Sequence, residues 1–212
     1  MDHLIENNAS STKKRTSTSA KILIAATGGI GIGLTVICAS FVAPAFRRIC
    51  LPYVPATTHQ VRNVLNLLPK NTTARRDKLL DIGSGDGRIV VAAAKNGLLA
   101  DGVELNPWLV WYSRMAAITQ GVHRQTHFYR RDLWKYNVAP YDYIVIFGVE
   151  QMMKDLEKKL ISETSETAKI IACRFPLPNM RPQHVIDDGV NTVWYYDLYK
   201  NKSFAEELIE RT

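Results

Sequence analysis

The pattern of hydrophobic and polar positions divides the chain near residue 47. Residues 22–46 form an uncharged, largely apolar run, which Lys21 precedes and Arg47 and Arg48 follow. As a helix, this run would extend about 37 Å, and a bilayer core about 30 Å thick needs about 20 apolar residues. We therefore expect residues 22–46 to cross a membrane once and to be kept as an anchor in contact with lipid.

Two other interpretations of this run stay open. A buried helix of a soluble protein would normally carry a polar stripe, whereas the polar side chains here are only Thr27, Thr35 and Ser40. A cleaved secretory signal would be cut near residues 43–45, but its apolar region is usually about 7–15 residues long. The preceding residues 1–21 are rich in Ser and Thr and carry four basic against two acidic side chains. That composition is loosely typical of a mitochondrial presequence.

After residue 47 the pattern alternates between strand-like and helix-like segments, which favours a parallel α/β sheet. The predicted strands are residues 78–82, 99–105, 126–130, 141–147 and 169–174. The predicted helices are residues 89–96, 107–120 and 150–160, after a first helix that starts at Thr57 or Thr58. Near the C-terminus, HVID and TVWYYDLY predict an antiparallel hairpin with Asp188 and Gly189 as its turn.

These patterns organise the chain into five segments. They are a leader (1–21), a transmembrane or targeting segment (22–46), a linker with an N-terminal helix (47–77), a catalytic domain (78–200) and a polar tail (201–212). Trp108, Trp111 and Tyr112 stand at helical spacing, and we expect such aromatic residues to lie in the core.

Charge and cysteine content narrow the function classes. The chain has a net charge of +7 and a pI of about 9.3, which alone would suggest nucleic acid or an anionic membrane as a partner. The leader carries part of that charge, and residues 47–212 hold 23 basic and 18 acidic side chains. The three cysteines form no CxxC pair, and the histidines have no metal-ligand spacing. We therefore expect no metal and no nucleic-acid partner.

The most specific local motif is LLDIGSGDGRI. In this motif, Asp81 lies in the last two residues of a predicted strand, and a glycine-rich turn then leads into a helix. Gly83, Gly85 and Gly87 allow positive φ angles and a close approach of a ligand to the backbone. A dinucleotide-binding fingerprint would need a glycine at position 88, where this chain has Arg88. The pattern instead favours S-adenosylmethionine, whose sulfonium cation suits nearby carboxylates.

Further residues at the ends of the predicted strands complete the expected cofactor site. Glu104 ends the second strand, where a carboxylate can accept hydrogen bonds from both ribose hydroxyls. Asp132 follows the third strand and could accept a hydrogen bond from the adenine amino group, or simply cap the next segment. The cofactor-binding residues predicted in full are Asp81, Gly83, Gly85, Asp86, Gly87, Glu104, Asn106, Asp132 and Leu133.

Taken together, the motifs resemble a known family. The runs are LPYVPATTHQVRNVL, DIGSGDGRIVVAAAKNG, VELNPWLVWYSR, YRRDLWK, IFGVEQMMKDLEKKL, CRFPLP and NTVWYYD, and they extend over about residues 41–200. This set is similar to the small family of mitochondrial protein-lysine methyltransferases. Its members that modify the ATP synthase c subunit are the closer match, and those that modify the adenine nucleotide translocase are the weaker one.

The resemblance implies a class I, seven-strand, Rossmann-like methyltransferase fold with S-adenosyl-L-methionine as the methyl donor. It also implies a single-pass location in the inner mitochondrial membrane. The implied substrate is a lysine of the ATP synthase c subunit, in support of ATP synthesis, with the adenine nucleotide translocase as the alternative. A non-catalytic, membrane-anchored assembly factor with the same fold is a further alternative.

Methyl transfer to lysine requires a neutral amine, although the lysine pKa is about 10.4. Proximity and loss of solvent can do much of this work, so we expect no dedicated nucleophile. Loops after the fourth and fifth strands offer the substrate-site candidates, which are Phe147, Glu150, Arg174 and Phe175. Tyr53, Pro55 and Thr57 are expected to close over the cofactor.

Overall fold

A computed structural model describes residues 18–42, 54–69 and 77–201, with side chains described only to residue 39 in the first range. The molecule divides into two units between Ala39 and Ser40. Residues 1–17 of the predicted leader, Tyr53 and the tail after Asn201 lie outside the described residues, whereas residues 18–21 of that leader already belong to a helix.

The first unit contains one long helix, α1 (Thr18–Val42). Its apolar side chains are exposed on all sides of the helix, and Ile22, Leu23 and Ile32 each keep about two thirds of their surface exposed. A stretch from Thr18 to Ala39 is long and apolar enough to span a membrane by length and composition, although an N-terminal signal sequence would pass the same test. The structure therefore shows a helix over residues 22–42 of the predicted segment, and residues 43–46 lie outside the described residues.

The second unit is built on a seven-stranded sheet in the order β3-β2-β1-β4-β5-β7-β6. Strands β1 (Lys78–Ile82), β2 (Leu99–Glu104), β3 (Thr126–Arg130), β4 (Tyr143–Phe147) and β5 (Lys169–Cys173) run parallel. Strand β7 (Val193–Asp197) is antiparallel to β5, and β6 (His184–Ile186) is antiparallel to β7. The chain order reverses between β1 and β4, which places a crevice at their carboxyl ends.

Helices cover both faces of this sheet. On one face lie α2 (Thr58–Leu67), α3 (Arg88–Lys95) and α4 (Pro107–Thr119), packed through residues such as Val64 and Val90. On the other face lies α5 (Glu150–Glu163), whose Met152, Leu156 and Leu160 are fully buried. The parallel strands are buried on both faces, which explains the continuous apolar run YIVIF in β4.

Capping interactions decide where two of the helices begin. The side chain of Thr57 accepts a hydrogen bond from the amide of Gln60, and the Gln60 side chain accepts one from the amide of Thr57. This capping box settles the choice between Thr57 and Thr58 in favour of Thr57. Asn106 caps α4 in the predicted way, with Pro107 as the first helical residue.

The structure corrects some predicted boundaries. Strand β4 starts at Tyr143 rather than at Tyr141, which lies in the preceding loop and bonds through its hydroxyl to Asp101 and Tyr136. Helix α5 continues to Glu163, one turn beyond the predicted end. The prediction of a tight hairpin turn at Asp188 and Gly189 is wrong, because residues 187–192 join β6 to β7 through a short 3-10 helix.

The expectation that the aromatic residues of α4 lie in the core is also wrong. Trp108, Trp111 and Tyr112 are 39%, 61% and 55% exposed. The residues of α4 that do face the sheet are smaller, among them Val110 and Ala117. The sequence misled because α4 is apolar around most of its circumference, so the periodicity could not distinguish its inner from its outer face.

Candidate cofactor and substrate site

The glycine-rich turn after β1 has the backbone conformation that its sequence predicts. Gly83, Gly85 and Gly87 have φ angles of 77°, 53° and 78°, in the left-handed region that favours glycine. A Cβ atom on Gly87 would lie 2.7 Å from the Phe128 ring and 2.8 Å from the Ser113 side chain. The amide of Gly83 donates to the carbonyl of Val103, so the turn is fastened to β2.

Glu104, at the end of β2, joins the two neighbouring turns. Its Oε1 accepts hydrogen bonds from the amides of Leu105 and Asn106, both at 2.8 Å. Its Oε2 accepts one from the amide of Gly85 at 3.2 Å. These amides orient the carboxylate at the crevice. Since an ionised carboxylate offers about four acceptor positions, Glu104 retains capacity for a ligand hydroxyl.

Asp81 carries the buried carboxyl group of the site. Its side chain is 1% exposed, and its Oδ1 atom is one of two buried side-chain oxygens without a hydrogen-bond partner among the described residues, with Ser84 Oγ as the other. Burial, together with the nearby Glu104 and Asp86 carboxylates, raises the pKa of Asp81 to about 8. A buried, unpartnered carboxyl group surrounded by other carboxylates is suited to a cationic ligand. The residues present therefore fit a sulfonium-bearing cofactor.

Asp86 is engaged within the turn itself. Its carboxylate pairs with the guanidinium of Arg88, which also donates to the carbonyl of Ala56. This contact attaches the segment before α2 to the glycine-rich turn. Thr57 in the same segment donates to the Asn191 side chain at 2.7 Å. The predicted N-terminal cover thus has one described part, at residues 54–57.

The remaining predicted cofactor residues lie at the ends of β2 and β3. Asn106 is 5% exposed and caps α4 by accepting from the amide of Trp108. Asp132 accepts a hydrogen bond from the amide of Trp134 at 3.1 Å, so it does cap the short 3-10 helix Leu133–Lys135. Leu133 is half-buried beside it. Capping orients Asp132 and is compatible with a second role toward a ligand.

The loops after β4 and β5 bring two of the substrate-site candidates together. The guanidinium of Arg174 lies 5.3 Å from the centre of the Phe147 ring, in a cation–π contact. Arg174 has a φ of 71° and is the one non-glycine residue with positive φ among the described residues. Its amide donates to the carbonyl of Thr192, which holds this conformation. Non-glycine residues in this region cost about 1–3 kcal/mol and cluster at functional sites.

The other two candidates are placed differently. Glu150 is exposed in the first turn of α5, and Phe175 is half-buried against the core on the α5 side of the sheet. Both follow strands that end at the crevice, but within the described part of the chain no side-chain hydrogen bond or ring contact joins them to the Phe147–Arg174 pair.

Sequence reasoning missed Glu157, a buried carboxylate on α5. Glu157 is 1% exposed and accepts hydrogen bonds from the backbone amide and the side-chain amide of Asn179. The hydroxyl of Tyr196 in β7 accepts another from the amide of Leu177. Together these bonds fix the loop that carries Phe175. A glutamate at a helix position between two buried leucines, Leu156 and Leu160, was the signal available in the sequence.

A second hollow lies away from the strand ends. It is a groove of about 300 Å³ between α2, α3 and α4, and Val61, Val91, Tyr112 and Ala116 contribute to its lining. Asp86 and Arg88 form its inner end. The groove therefore adjoins the glycine-rich turn at Asp86, but Asp81 and Glu104 are not among the residues that line it.

Comparison with known proteins adds family information to this geometry. The family model described as the ANTKMT methyltransferase domain matches residues 81–184. The one described as the N-terminal domain of the ATP synthase c-subunit lysine N-methyltransferase matches residues 13–47.

Individual relatives and structures agree with these matches. The chain is 57% identical to the Xenopus laevis ATP synthase c-subunit lysine N-methyltransferase, over 82% of this chain and 77% of the relative. It is 40% identical to the Mus musculus adenine nucleotide translocase lysine N-methyltransferase, over 84% and 78%. An RNA methyltransferase from Salinibacter ruber, solved with S-adenosyl-L-homocysteine, superposes with a TM-score of 0.64 at 27% identity, over 68% of this chain and 94% of that one.

Proposed function

We propose a substrate for this chain on the basis of its family, since the chain belongs to the ATP synthase c-subunit lysine N-methyltransferases. The chain is accordingly a protein-lysine N-methyltransferase of the class I fold, and its cofactor is S-adenosyl-L-methionine. The substrate is a lysine of the ATP synthase c subunit. The greater similarity to enzymes named for that subunit, 57% against 40% for the translocase enzyme, carries the choice between the two substrates.

The cofactor is assigned to the edge formed by the ends of β1, β2 and β3. When bound, S-adenosylmethionine supplies an electrophilic methyl group on a sulfonium cation. Glu104, oriented by three backbone amides, binds the ribose hydroxyls, and Asp132 with Leu133 binds the adenine. Asp81 places a buried carboxyl group next to the turn, and a bound sulfonium cation would favour its ionised form. Gly83, Gly85 and Gly87 allow the ligand to approach the backbone, and Asn106 and Asp86 hold the adjoining turns in shape.

The substrate lysine is assigned to the edge formed by the ends of β4 and β5. The Phe147–Arg174 pair places an aromatic ring and a fixed positive charge there. A nearby cation disfavours the ammonium form of an incoming lysine, and an apolar wall does the same by removing water. Glu150, exposed at the start of α5, can attract the charged lysine before it loses its proton. Phe175, on the loop fixed by Glu157, closes this side.

The location assigned to the chain is the inner mitochondrial membrane, with α1 as a single span. The two threonine hydroxyls at Thr27 and Thr35 need no partner outside the helix, because they donate to the carbonyls of Leu23 and Gly31, both at 2.8 Å. Polar groups satisfied in this way are compatible with a hydrocarbon surrounding.

The experiment that tests this function uses the full chain in liposomes together with the c subunit or with the translocase. Labelled S-adenosylmethionine and mass spectrometry of both proteins report the modified residue. We expect methyl groups on a c-subunit lysine, and much slower methylation by the Glu104→Ala variant at the same cofactor concentration. Methylation of the translocase alone would contradict the substrate, and methylation of neither would contradict the enzymatic function and favour an assembly factor.

A further inference from the structure

The outward face of α4 is apolar, although its other face already packs on the sheet. Trp111, Tyr112, Met115 and Ile118 are exposed, at 61%, 55%, 43% and 55%. At about 100° per residue they fall within about 120° of the helix circumference, opposite the buried Val110 and Ala117. An amphipathic surface helix would place charged residues on this side. The single charged residue of α4 is Arg114, which lies beside the apolar stripe and donates to the carbonyl of Phe128.

The helix on the opposite face of the sheet shows what an ordinary water-facing surface of this protein looks like. The exposed residues of α5 include Lys154, Asp155, Lys158 and Glu163. Lys159 forms an ion pair with Glu163, one turn further along the helix. Helix α5 has one large exposed apolar residue, Ile161 at 57%. The two helices have similar lengths and both pack on the same sheet. The difference between their exposed residues therefore indicates that their outer faces contact different surroundings.

We propose that the outward face of α4, defined by Trp111, Met115 and Ile118, with Tyr112 at its edge beside the groove between α2, α3 and α4, rests in the interfacial region of a lipid bilayer. Tryptophan and tyrosine combine an apolar ring with one polar group, and they are enriched where acyl chains meet lipid headgroups. Methionine and isoleucine supply apolar surface deeper in the layer. A water-soluble partner protein would also cover an apolar face, but the lipid interface explains the specific mixture of indole, phenol and aliphatic side chains.

Charge at the margins of the stripe agrees with a lipid surface. Lys95 is the last residue of α3, and its ammonium donates to the side chain of Gln120, directly after α4, at 2.7 Å. Arg124 follows on the exposed turn after the helix, and Arg114 flanks Ile118. Neither α4 nor residues 120–126 contain an acidic side chain. Cations beside an apolar face attract anionic headgroups, each by about 1 kcal/mol near the surface.

The chain itself supplies a reason for the membrane to be near. The first unit carries the helix α1, which is long and apolar enough to span a bilayer. Only residues 43–57 connect α1 to α2, and a short tether keeps a domain at high local concentration next to its anchoring surface. An interfacial helix on the tethered domain then binds lipid at little further cost in translational freedom.

This placement has a consequence for the reaction. The N-terminus of α4 directly follows Glu104 and Asn106, at the carboxyl end of β2. A bilayer that supports α4 therefore runs next to the edge where the cofactor is assigned. A lysine at the surface of a membrane-embedded protein would come within reach without leaving the membrane. The docking itself does not depend on which lysine is modified.

A photo-crosslinking experiment with the full chain tests the proposal. The photoreactive residue benzoylphenylalanine replaces Ile118 in one variant and Ile161 in the matched control, since the two isoleucines are equally exposed on opposite faces of the sheet. Each protein is reconstituted in vesicles of phosphatidylcholine and cardiolipin and irradiated. We expect a phospholipid adduct at position 118 and none at position 161.

Every other outcome overturns the proposal. A cross-linked dimer at position 118 would assign this face to a second copy of the chain, and an adduct within the same chain would assign it to one of its own segments. Equal labelling at positions 118 and 161, or none at either, would show no preference for lipid. Because this readout involves no methyl transfer, its failure is distinct from a failure of the proposed enzymatic function.

A second measurement connects docking to activity. Ile118→Lys places a charge on the face, and Ile161→Lys places it on the control helix. We expect Ile118→Lys to slow methylation of the c subunit embedded in vesicles about tenfold, since a charge in the apolar layer is costly. A soluble peptide with the same lysine should be methylated at the parent rate by both variants. An unchanged rate on the embedded substrate, or an equal loss on both substrates, would contradict the proposal.

Discussion

The carboxyl ends of β1, β2 and β3 carry tight turns and carboxylates held by backbone amides, whereas the ends of β4 and β5 carry aromatic rings and an arginine. In the first region, the backbone holds the functional groups: Glu104 accepts three amide hydrogen bonds, and Gly87 has no room for a side chain. In the second region, contacts with distant parts of the chain do so: the Glu157 side chain and the Thr192 backbone carbonyl both hold the loop after β5. This difference agrees with the proposed assignment of the first region to a constant cofactor and of the second region to a particular protein substrate.

The largest effect should follow from breaking the glycine turn. Gly87→Ala combines a positive φ with contacts of 2.7–2.8 Å to Phe128 and Ser113. We expect the free energy of unfolding to fall by about 3 kcal/mol and cofactor binding to be lost. Gly121→Ala is the matched control, since Gly121 also has a positive φ, of 73°, but open space around it. Thermal unfolding and calorimetric titration of S-adenosylhomocysteine measure both quantities.

In the control, only the backbone cost should remain, so that unfolding becomes easier by about 1–2 kcal/mol and cofactor affinity stays constant. If both alanine variants bind the cofactor normally, the turn after β1 is not where the cofactor lies.

Removal of the carboxylate at the end of β2 should have the next largest effect. Glu104→Ala is expected to weaken S-adenosylhomocysteine binding about 10- to 100-fold, because hydroxyl and amide partners lose a charged acceptor. Asp101→Asn is the control on the same strand. Asp101 bonds to His127 and Tyr141 and lies away from the strand ends where the cofactor is assigned. Equal affinity losses in the two variants would mean that Glu104 acts on stability alone.

The Phe147–Arg174 pair should affect turnover more than cofactor binding. Arg174→Gly removes the guanidinium and also relieves a φ of 71°. We expect kcat to fall about tenfold, with the dissociation constant of the cofactor unchanged and the melting temperature equal or higher. Arg174→Lys, which keeps the charge, should recover part of kcat. A lower cofactor affinity with unchanged kcat would place Arg174 in the first region instead.

The smallest effect should be a pH dependence from Asp81. Its pKa of about 8 means that the folded, ligand-free protein holds this carboxyl protonated at neutral pH. A sulfonium cation favours the ionised form, so affinity for S-adenosylmethionine should rise about fivefold between pH 6 and pH 9. The neutral S-adenosylhomocysteine should show a smaller rise, and Asp81→Asn should show none. An equal slope for all three titrations would show that another group is responsible.

The raised pKa of Asp81 also predicts how the stability of the folded state changes with pH. Because the raised pKa means that the folded state holds a proton that the unfolded state releases near pH 3.8, Asp81 lowers stability as the pH rises from about 4 to about 8. Asp81→Asn should therefore become relatively more stable than the parent over that interval, as urea unfolding at several pH values can measure.

The sequence determined those features that depend on neighbouring residues. Strands β1 and β3 have the predicted bounds, because polar or charged residues precede them and Gly83 and Arg131, respectively, follow them. The positive φ angles of Gly83, Gly85 and Gly87 follow from a turn in which adjacent positions exclude side chains. The cap at Asn106 followed by Pro107 is similarly local. These interactions span a few residues, so their pattern is visible along the chain.

Only the tertiary structure decided features that join distant parts of the chain. The pairing of Phe147 with Arg174 depends on the parallel register of β4 and β5. The burial of Glu157 depends on Asn179, 22 residues away. The exposure of Trp111 depends on which side of an all-round apolar helix meets the sheet. Periodicity reports the chemical similarity of positions, but the sheet and its packing choose which of them is inside.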